Sequence, residues 1–261
     1  MEEIYFKKLG KGLPVILIHG FCETHEIWRG FYEKLAEKFE VWVIDLPGFG
    51  GSPLPMVPFS IHEISEKILN WIDRRGIHQP IVIGHSLGGY VALAMAKRDE
   101  NKIAGLGLFH STPYPDSDER KANRDRVIEF VNKNGVVPFV DTLVPGLFYN
   151  NKHPAILLTS EIARKTQKKT LLAYTVAMRD RPSSVGFLED FEKPVLVLGG
   201  EKDTVIPMES VEEFSRLAKK CTVHVLKDTA HMAMFEMRDE AITIVADFVL
   251  KSNLASQGLL F

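Results

Sequence analysis

The sequence predicts an α/β protein with a doubly wound, mostly parallel sheet and one helical insertion. Two observations support this fold class. The runs 14–19 and 41–45 are apolar up to their last residue, and so is the run 81–83, which is typical of strands covered by helices on both faces. These runs also alternate along the chain with segments whose apolar residues recur at helical spacing.

The predicted elements follow one another in a regular order. Ser60 and Glu63 have the spacing of a capping box, which predicts a helix start at that point. The turn-forming residues of 46–53 close the preceding strand. Predicted strands cover residues 4–9, 14–19, 41–45, 81–83, 103–109, 194–199 and 222–226, and predicted helices cover residues 27–39, 60–75, 90–97, 209–218 and 233–250.

The alternation stops between residues 116 and 185, where no strong strand signal occurs. This segment is charged and amphipathic, so we predict a helical cap, 116–185, inserted into a core formed by residues 1–115 and 186–261. The stretch 136–149 is unusually apolar for a linker, and we expect it to pack against another surface. Residues 253–261 are predicted to form a tail, either frayed or docked.

Composition and charge restrict the classes of function. The chain has 261 residues, of which 45% are hydrophobic and 25% charged, and this usage fits one large globular domain with an insertion. A net charge of −2 does not indicate the basic surface that binding to nucleic acid or to an anionic membrane requires. We therefore expect a small-molecule substrate, no nucleic-acid or membrane partner, and a monomer or homodimer.

The chain carries few signals for a special compartment or cofactor. Cys22 and Cys221 are too few for a disulfide scaffold and fit a reducing compartment. No signal-peptide pattern occurs at the N-terminus and no uncharged run reaches the ~18 residues of a membrane span, so we expect a soluble, cytoplasmic protein. No metal-ligand, dinucleotide-loop or Walker spacing is present, so we predict neither metal nor cofactor.

One hydroxyl lies where a predicted strand changes into a predicted helix. Ser86 stands between Gly84 and Gly88, in the G-x-S-x-G pattern of a nucleophile elbow. The glycines allow the chain to pass close to its neighbours around a strained serine. The alternative is that Ser86 only caps the following helix, since serine is a favoured cap residue.

Two further strand ends carry the groups that would activate such a serine. Asp203 follows the strand 194–199, and His231 follows the strand 222–226. Serine is a weak nucleophile that needs a base, and an imidazole oriented by a carboxylate supplies one. The order Ser, Asp, His is that of hydrolases with a nucleophile elbow. Asp228 is an alternative acid nearer to the histidine, and His110, which follows the strand 103–109, is expected to be structural.

Backbone N–H groups near Ser86 could stabilise an oxyanion. The N–H of Leu87 follows the candidate nucleophile and lies at a predicted helix N-terminus. A second donor is expected from the loop after the strand 14–19, either Phe21 or, as the alternative, Cys22.

These motifs together resemble the α/β-hydrolase superfamily, in its group of esterase-like serine hydrolases with a helical cap. The matching residues are His19-Gly20-Phe21, 45–50, 84–89, 200–203 and His231. The resemblance implies that substrate choice is encoded in the cap. A nucleophilic aspartate at the elbow would have implied a dehalogenase or an epoxide hydrolase, and Ser86 argues against both.

The leading hypothesis is a cofactor-independent serine hydrolase that cleaves a carboxylic ester or thioester of a small, partly apolar acid through an acyl-enzyme. Four apolar residues of the predicted cap are candidates for the substrate pocket: Phe139, Leu147, Phe148 and Tyr149.

Three alternatives stay open. The same triad could act on a carbon–carbon bond or promote elimination, with Arg179 or Arg181 binding an acidic substrate. A perhydrolase or acyltransferase would differ only in the attacking nucleophile. A non-catalytic hydrolase-fold protein could bind a ligand without turning it over.

Overall fold

The computed structural model describes residues 3–256 and contains a seven-stranded sheet in the order β1-β3-β2-β4-β5-β6-β7. Only β1 runs antiparallel to its neighbour in this described sheet, and the other strand pairs are parallel. The strands are β1 (Phe6–Leu9), β2 (Pro14–Ile18), β3 (Glu40–Ile44), β4 (Ile81–His85), β5 (Gly105–Phe109), β6 (Val195–Gly200) and β7 (Cys221–Leu226). The predicted α/β class and mostly parallel sheet are confirmed.

Helices cover both faces of the sheet. They are α1 (Phe31–Leu35), α2 (Ile61–Arg75), α3 (Leu87–Arg98), α4 (Asp118–Asn134), α5 (Val136–Leu143), α6 (Ala155–Arg164), α7 (Lys168–Arg179), α8 (Val185–Asp190), α9 (Met208–Ser215), α10 (Ala233–Glu236) and α11 (Arg238–Ser256). Short 3₁₀ turns occupy His25–Trp28, Glu100–Lys102 and Val144–Leu147.

Alternate residues of one strand belong to different cores. In β4, Val82 lies in the core on one face, whereas Ile81 and Ile83 lie in the core on the other face. All three are buried, which explains why the strand shows no polar alternation. The hydrophobic effect therefore fixes the sheet from both sides, and the loops at its carboxyl edge extend from a buried frame.

Two predicted helices differ from the observed ones. The helix expected at 27–39 is divided, because Gly30 adopts a left-handed conformation with φ of 79° between the 3₁₀ turn and α1. The helix expected at 233–250 is divided at Met237, and α11 then continues to Ser256. The capping box of Ser60 and Glu63 is present at the start of α2.

The chain between residues 116 and 185 is helical, with α4–α7 and a 3₁₀ turn, and no strand occurs in this described segment. The apolar stretch 136–149 does pack: Val140, Val144 and Leu147 are buried in one core. The division into core and cap stays a prediction. Of the predicted tail, residues 253–256 belong to α11, and the remainder lies outside the described residues. No helix within residues 3–256 combines the length and apolar character that a membrane crossing requires.

A buried ion pair joins the two ends of this helical segment. Arg181, 7% exposed, donates to Asp116 over 2.7 Å and to the carbonyls of Met178 and Tyr114. Its guanidinium also lies 3.9 Å from the ring centre of Tyr90 on α3. Burial alone would raise the pKa of Asp116, but the positive charges of Arg181 and Arg124 hold that pKa below its usual value.

Arg181→Leu should reduce the free energy of unfolding by roughly 3 kcal/mol, because it removes one partner of a buried, hydrogen-bonded pair. Urea unfolding measures this change. Arg179→Leu is the matched control: its guanidinium pairs with Asp125 and Asp180 at the surface, and its loss should cost less than about 1 kcal/mol. Equal losses in the two variants would contradict a structural role specific to Arg181.

Candidate active site

The turn between β4 and α3 brings the backbone at Ser86 into a strained conformation. Ser86 has φ of 49° and ψ of −112°, and non-glycine residues rarely adopt a positive φ. A Cβ on Gly84 would meet the Gly88 carbonyl carbon at 2.2 Å, and a Cβ on Gly88 would meet the Ile18 carbonyl oxygen at 2.5 Å. Both glycines are therefore required by the close approach of the chain to itself.

Ser86 is held by neighbouring strands and not by a cap. Its N–H donates to the Phe109 carbonyl over 3.0 Å, and its own carbonyl accepts from the Ser111 hydroxyl over 2.8 Å. Ser86 lies at the N-cap position of α3, but its side chain forms no capping hydrogen bond to that helix, so the alternative in which the hydroxyl serves only as a cap is not supported. The hydroxyl also makes no hydrogen bond to His231 in the described chain, and such bonds are often long without substrate.

Asp203 and His231 meet beyond the ends of β6 and β7. Nδ1 of His231 lies 2.8 Å from Oδ2 of Asp203, and both side chains are buried. Oδ1 of Asp203 accepts from the N–H groups of Val205 and Ile206, at 2.8 and 3.0 Å. Burial alone would raise the pKa of Asp203, but the charge on His231 and the hydrogen bonds of the site hold that pKa far below its usual range. The alternative acid, Asp228, is exposed at a turn.

A second histidine binds the same carboxylate oxygen. Nδ1 of His110 also lies 2.8 Å from Oδ2 of Asp203, and the side chain of His110 is fully buried. Burial lowers the pKa of His110 to about 4, although Asp203 acts in the opposite direction. The sequence placed His110 at this edge without indicating this partner. The signal that could have found it is its position after β5, between the strands that precede Ser86 and Asp203.

The atoms of His110, Asp203 and His231 lie within 4.8 Å of one another, a grouping that could also hold a metal ion. Both imidazole nitrogens are at hydrogen-bond distance from one carboxylate oxygen, so we interpret the cluster as a hydrogen-bond network.

A buried acid and base support the backbone of the histidine loop. Nδ1 of His85 lies 2.9 Å from Oε2 of Glu23, and Nε2 of His85 lies 3.0 Å from the His231 carbonyl oxygen. Both ring nitrogens thus face oxygen acceptors, an arrangement that fits an imidazolium with two donors. Burial would lower the pKa of His85, but the charge of Glu23 raises it above its usual value. The sequence did not single out Glu23.

The predicted oxyanion donors lie in two places. Leu87 is the first residue of α3, and Phe21 and Cys22 lie in the loop after β2. Among residues 3–256, their N–H groups donate to no loop or turn carbonyl. The preceding N–H, of Gly20, is taken by Glu23. Cys22 has a positive φ of 59° and is buried.

The predicted pocket residues have different environments. The ring of Phe139 lies 6.4 Å from that of Phe21, edge to face, beside the candidate oxyanion loop. The Leu147 carbonyl accepts from the His231 N–H over 2.9 Å. Phe148 is buried and stacks on His153. Tyr149 is 52% exposed, and its backbone N–H donates to Glu236.

The arginines considered for an acidic substrate are already paired. Arg181 is bound to Asp116 and to two carbonyls, and Arg179 is bound to Asp125 and Asp180. Neither guanidinium is therefore a free anion site, and the expectation that either binds substrate is not supported by its contacts.

The fold and these motifs agree with a known family. A sequence model described as the alpha/beta hydrolase fold matches residues 14–237, and the chain belongs to this family. The structure of a thermophilic esterase from Thermogutta terrifontis superimposes with a TM-score of 0.91 at 29% identity, over 96% of this chain and 94% of that one. Together with the esterase relative described next, the family supports an enzyme of the hydrolase class.

Two curated relatives match over most of their length. A pimeloyl-[acyl-carrier protein] methyl ester esterase of Methylococcus capsulatus is 25% identical over 95% of this chain and 99% of its own. A 2-hydroxy-6-oxo-6-(2'-aminophenyl)hexa-2,4-dienoic acid hydrolase of Metapseudomonas resinovorans is 24% identical over 95% of this chain and 87% of its own.

Glu23→Gln tests the buried pair through its pH dependence. The pKa of His85 is raised in the folded state, so its pair with Glu23 stabilises the fold fully below the ordinary histidine pKa of 6.5. This contribution is lost as pH rises through the raised pKa of His85. The lowered pKa of Glu23 keeps its contribution present above its ordinary 4.5. We expect a loss of roughly 3 kcal/mol at about pH 6 and a smaller loss at about pH 10.

Urea unfolding at both pH values measures this difference. The exposed pair of Lys34 and Glu37 supplies a control, because Glu37→Gln should cost less than about 1 kcal/mol at either pH. The same loss at both pH values for Glu23→Gln would show that His85 carries no proton that depends on Glu23.

Proposed function

We propose that this protein is a cofactor-independent serine hydrolase that cleaves a carboxylic ester or thioester of a small, partly apolar acid. The observation that carries the proposal is the bond between His231 and Asp203, which fixes one imidazole nitrogen as a donor. The other nitrogen is then an acceptor, as a general base requires.

The proposed reaction has two halves. Ser86 Oγ attacks the carbonyl carbon while His231 Nε2 takes the hydroxyl proton, and Asp203 stabilises the imidazolium. The tetrahedral oxyanion accepts hydrogen bonds from the N–H of Leu87 and from that of Phe21, or alternatively Cys22. The intermediate collapses, and the departing alcohol or thiol takes the proton from His231. Water then attacks the acyl-enzyme by the same steps and releases the acid and free Ser86.

Two observations support an ester with an apolar acyl group. The rings of Phe21 and Phe139 make an apolar wall beside the candidate oxyanion loop. Both the thermophilic esterase and the methyl ester esterase act on esters by name. The carbon–carbon alternative is supported by the similarity to the Metapseudomonas resinovorans hydrolase. However, Arg179 and Arg181, which this alternative would use to bind an acidic substrate, are already paired with acidic side chains.

Ser86→Ala should lower kcat by several orders of magnitude, leaving the ~10³- to 10⁴-fold acceleration over water that an oxyanion hole and binding can supply. The measurement is ester hydrolysis, combined with the intact mass after treatment with a fluorophosphonate probe. Wild-type protein and the control Ser215→Ala on α9 should gain the mass of the probe, and Ser86→Ala should not. Wild-type rates of hydrolysis in Ser86→Ala would refute the proposal, and an unlabelled wild-type protein would favour a binding function.

Phe139→Ala should discriminate against long acyl chains. Each methylene that loses its contact forfeits about 0.8 kcal/mol, so KM should rise by about tenfold for a six-carbon acyl ester and little for an acetyl ester. Steady-state kinetics on a series of acyl lengths measures this difference. Leu157→Ala on α6 is the control, because the Leu157 side chain is 74% exposed and its loss should leave both KM values unchanged. A uniform rise across the series in Phe139→Ala would place the acyl chain elsewhere.

A further inference from the structure

We infer that His110 is a positioning residue of the proposed reaction: it donates Nδ1–H to the carboxylate that orients His231 and so keeps His231 in its neutral, proton-accepting form at lower pH. This inference rests on the proposed function, because it concerns the same base. His110 lies 93 residues from Asp203 in the chain.

The carboxylate of Asp203 is saturated by donors. Two backbone N–H groups, of Val205 and Ile206, bind Oδ1, and two imidazoles bind Oδ2. A carboxylate has about four lone-pair positions, so each oxygen is fully used. Asp203 therefore cannot rotate without breaking bonds to three different segments of the chain.

The bond to Asp203 determines the tautomer of His110. An ionised carboxylate only accepts, so Nδ1 of His110 carries the proton and Nε2 holds a lone pair. Nε2 is buried and has no hydrogen-bond partner within the described chain. A buried nitrogen without a partner is costly. In His110 this cost accompanies the hydrogen bond that the other ring nitrogen, Nδ1, makes to Asp203.

The backbone of His110 is held by a hydrogen bond that does not involve its ring. Its N–H donates to the Leu198 carbonyl over 2.7 Å, and its φ is 49°. The ring packs against His231 at 5.5 Å and His85 at 6.2 Å between centres. His110 thus remains a neutral donor near neutral pH, because burial holds its pKa at about 4.

Because His110 also binds Oδ2, Asp203 attracts the protonated ring of His231 less strongly. The His110 donor neutralises part of the charge on that oxygen, so the imidazolium of His231 is less stabilised and releases its proton more readily. The titratable groups that surround the two rings are Asp203, His85 and, behind His85, Glu23. Of these, only Asp203 contacts both Nδ1 atoms.

A pair of equally shaped variants separates the donor from the bulk of the ring. Asn places an N–H₂ where His110 has Nδ1, and Leu places a methyl group there. The pH profile of kcat/KM for a short-chain ester is measured for wild type, His110→Asn and His110→Leu. We expect the acid limb of His110→Leu to move to higher pH by roughly one unit, the scale of one hydrogen bond to a charged group. We expect that of His110→Asn to stay at the wild-type position.

A purely structural role would lower the rate at every pH without moving the limb. Coincident limbs in all three proteins, or equal displacements in both variants, would overturn the inference. His110→Leu could be strained at a positive φ, which asparagine tolerates better, and strain reduces the rate without moving a titration.

Nitrogen-15 NMR of the wild-type histidines tests the inference without any variant. We expect His110 as the neutral Nδ1–H tautomer from about pH 5 to 8, whereas free imidazole favours Nε2–H. An Nε2–H tautomer or an imidazolium would overturn it. If wild-type protein neither hydrolyses esters nor takes the fluorophosphonate, the proposed function fails and the role of His110 with it. If it does both while the three pH profiles coincide, only the inference about His110 fails.

Discussion

The carboxylate of Asp203 is the group on which the candidate site depends, because it joins loops that follow three different strands. His110 follows β5, Asp203 follows β6 and His231 follows β7. Parallel strands bring these loops to one edge, but the sheet alone leaves each loop free to adopt several conformations. A buried charge that needs every one of its hydrogen bonds removes that freedom.

A second buried acid, Glu23, supports the site from the opposite side. It binds the Gly20 N–H in the loop after β2 and the His85 ring in β4, and His85 in turn binds the His231 carbonyl. The candidate oxyanion loop, the elbow strand and the histidine loop are thus connected through one pair of side chains. The two networks meet at His231, whose ring is held by Asp203 and whose backbone is held by His85.

Local signals allowed much of this arrangement to be predicted. The spacing of Gly84, Ser86 and Gly88 predicts a sharp turn within five residues, and continuous apolar runs predict buried strands. The partners of His110, His85 and Arg181 could not be predicted, because they lie 93, 62 and 65 residues away. Such pairs depend on the register of neighbouring strands and on where an inserted segment folds back. Nothing local in the sequence distinguishes a paired arginine from one that binds a substrate, which is why the sequence left both roles open for Arg179 and Arg181.

The 3₁₀ turn Val144–Leu147 touches the proposed base through its backbone. The Leu147 carbonyl accepts from the His231 N–H, and Glu236 bridges the N–H groups of Tyr149 and Ala230. The helical segment above the sheet is therefore anchored to the loop that carries the base. Replacing the whole segment with that of a relative would change these hydrogen bonds, and so would alter the reaction rate as well as the substrate selectivity. Side-chain changes that keep the backbone of 144–149 are the route by which a protein of this design can acquire a new substrate while its chemistry stays intact.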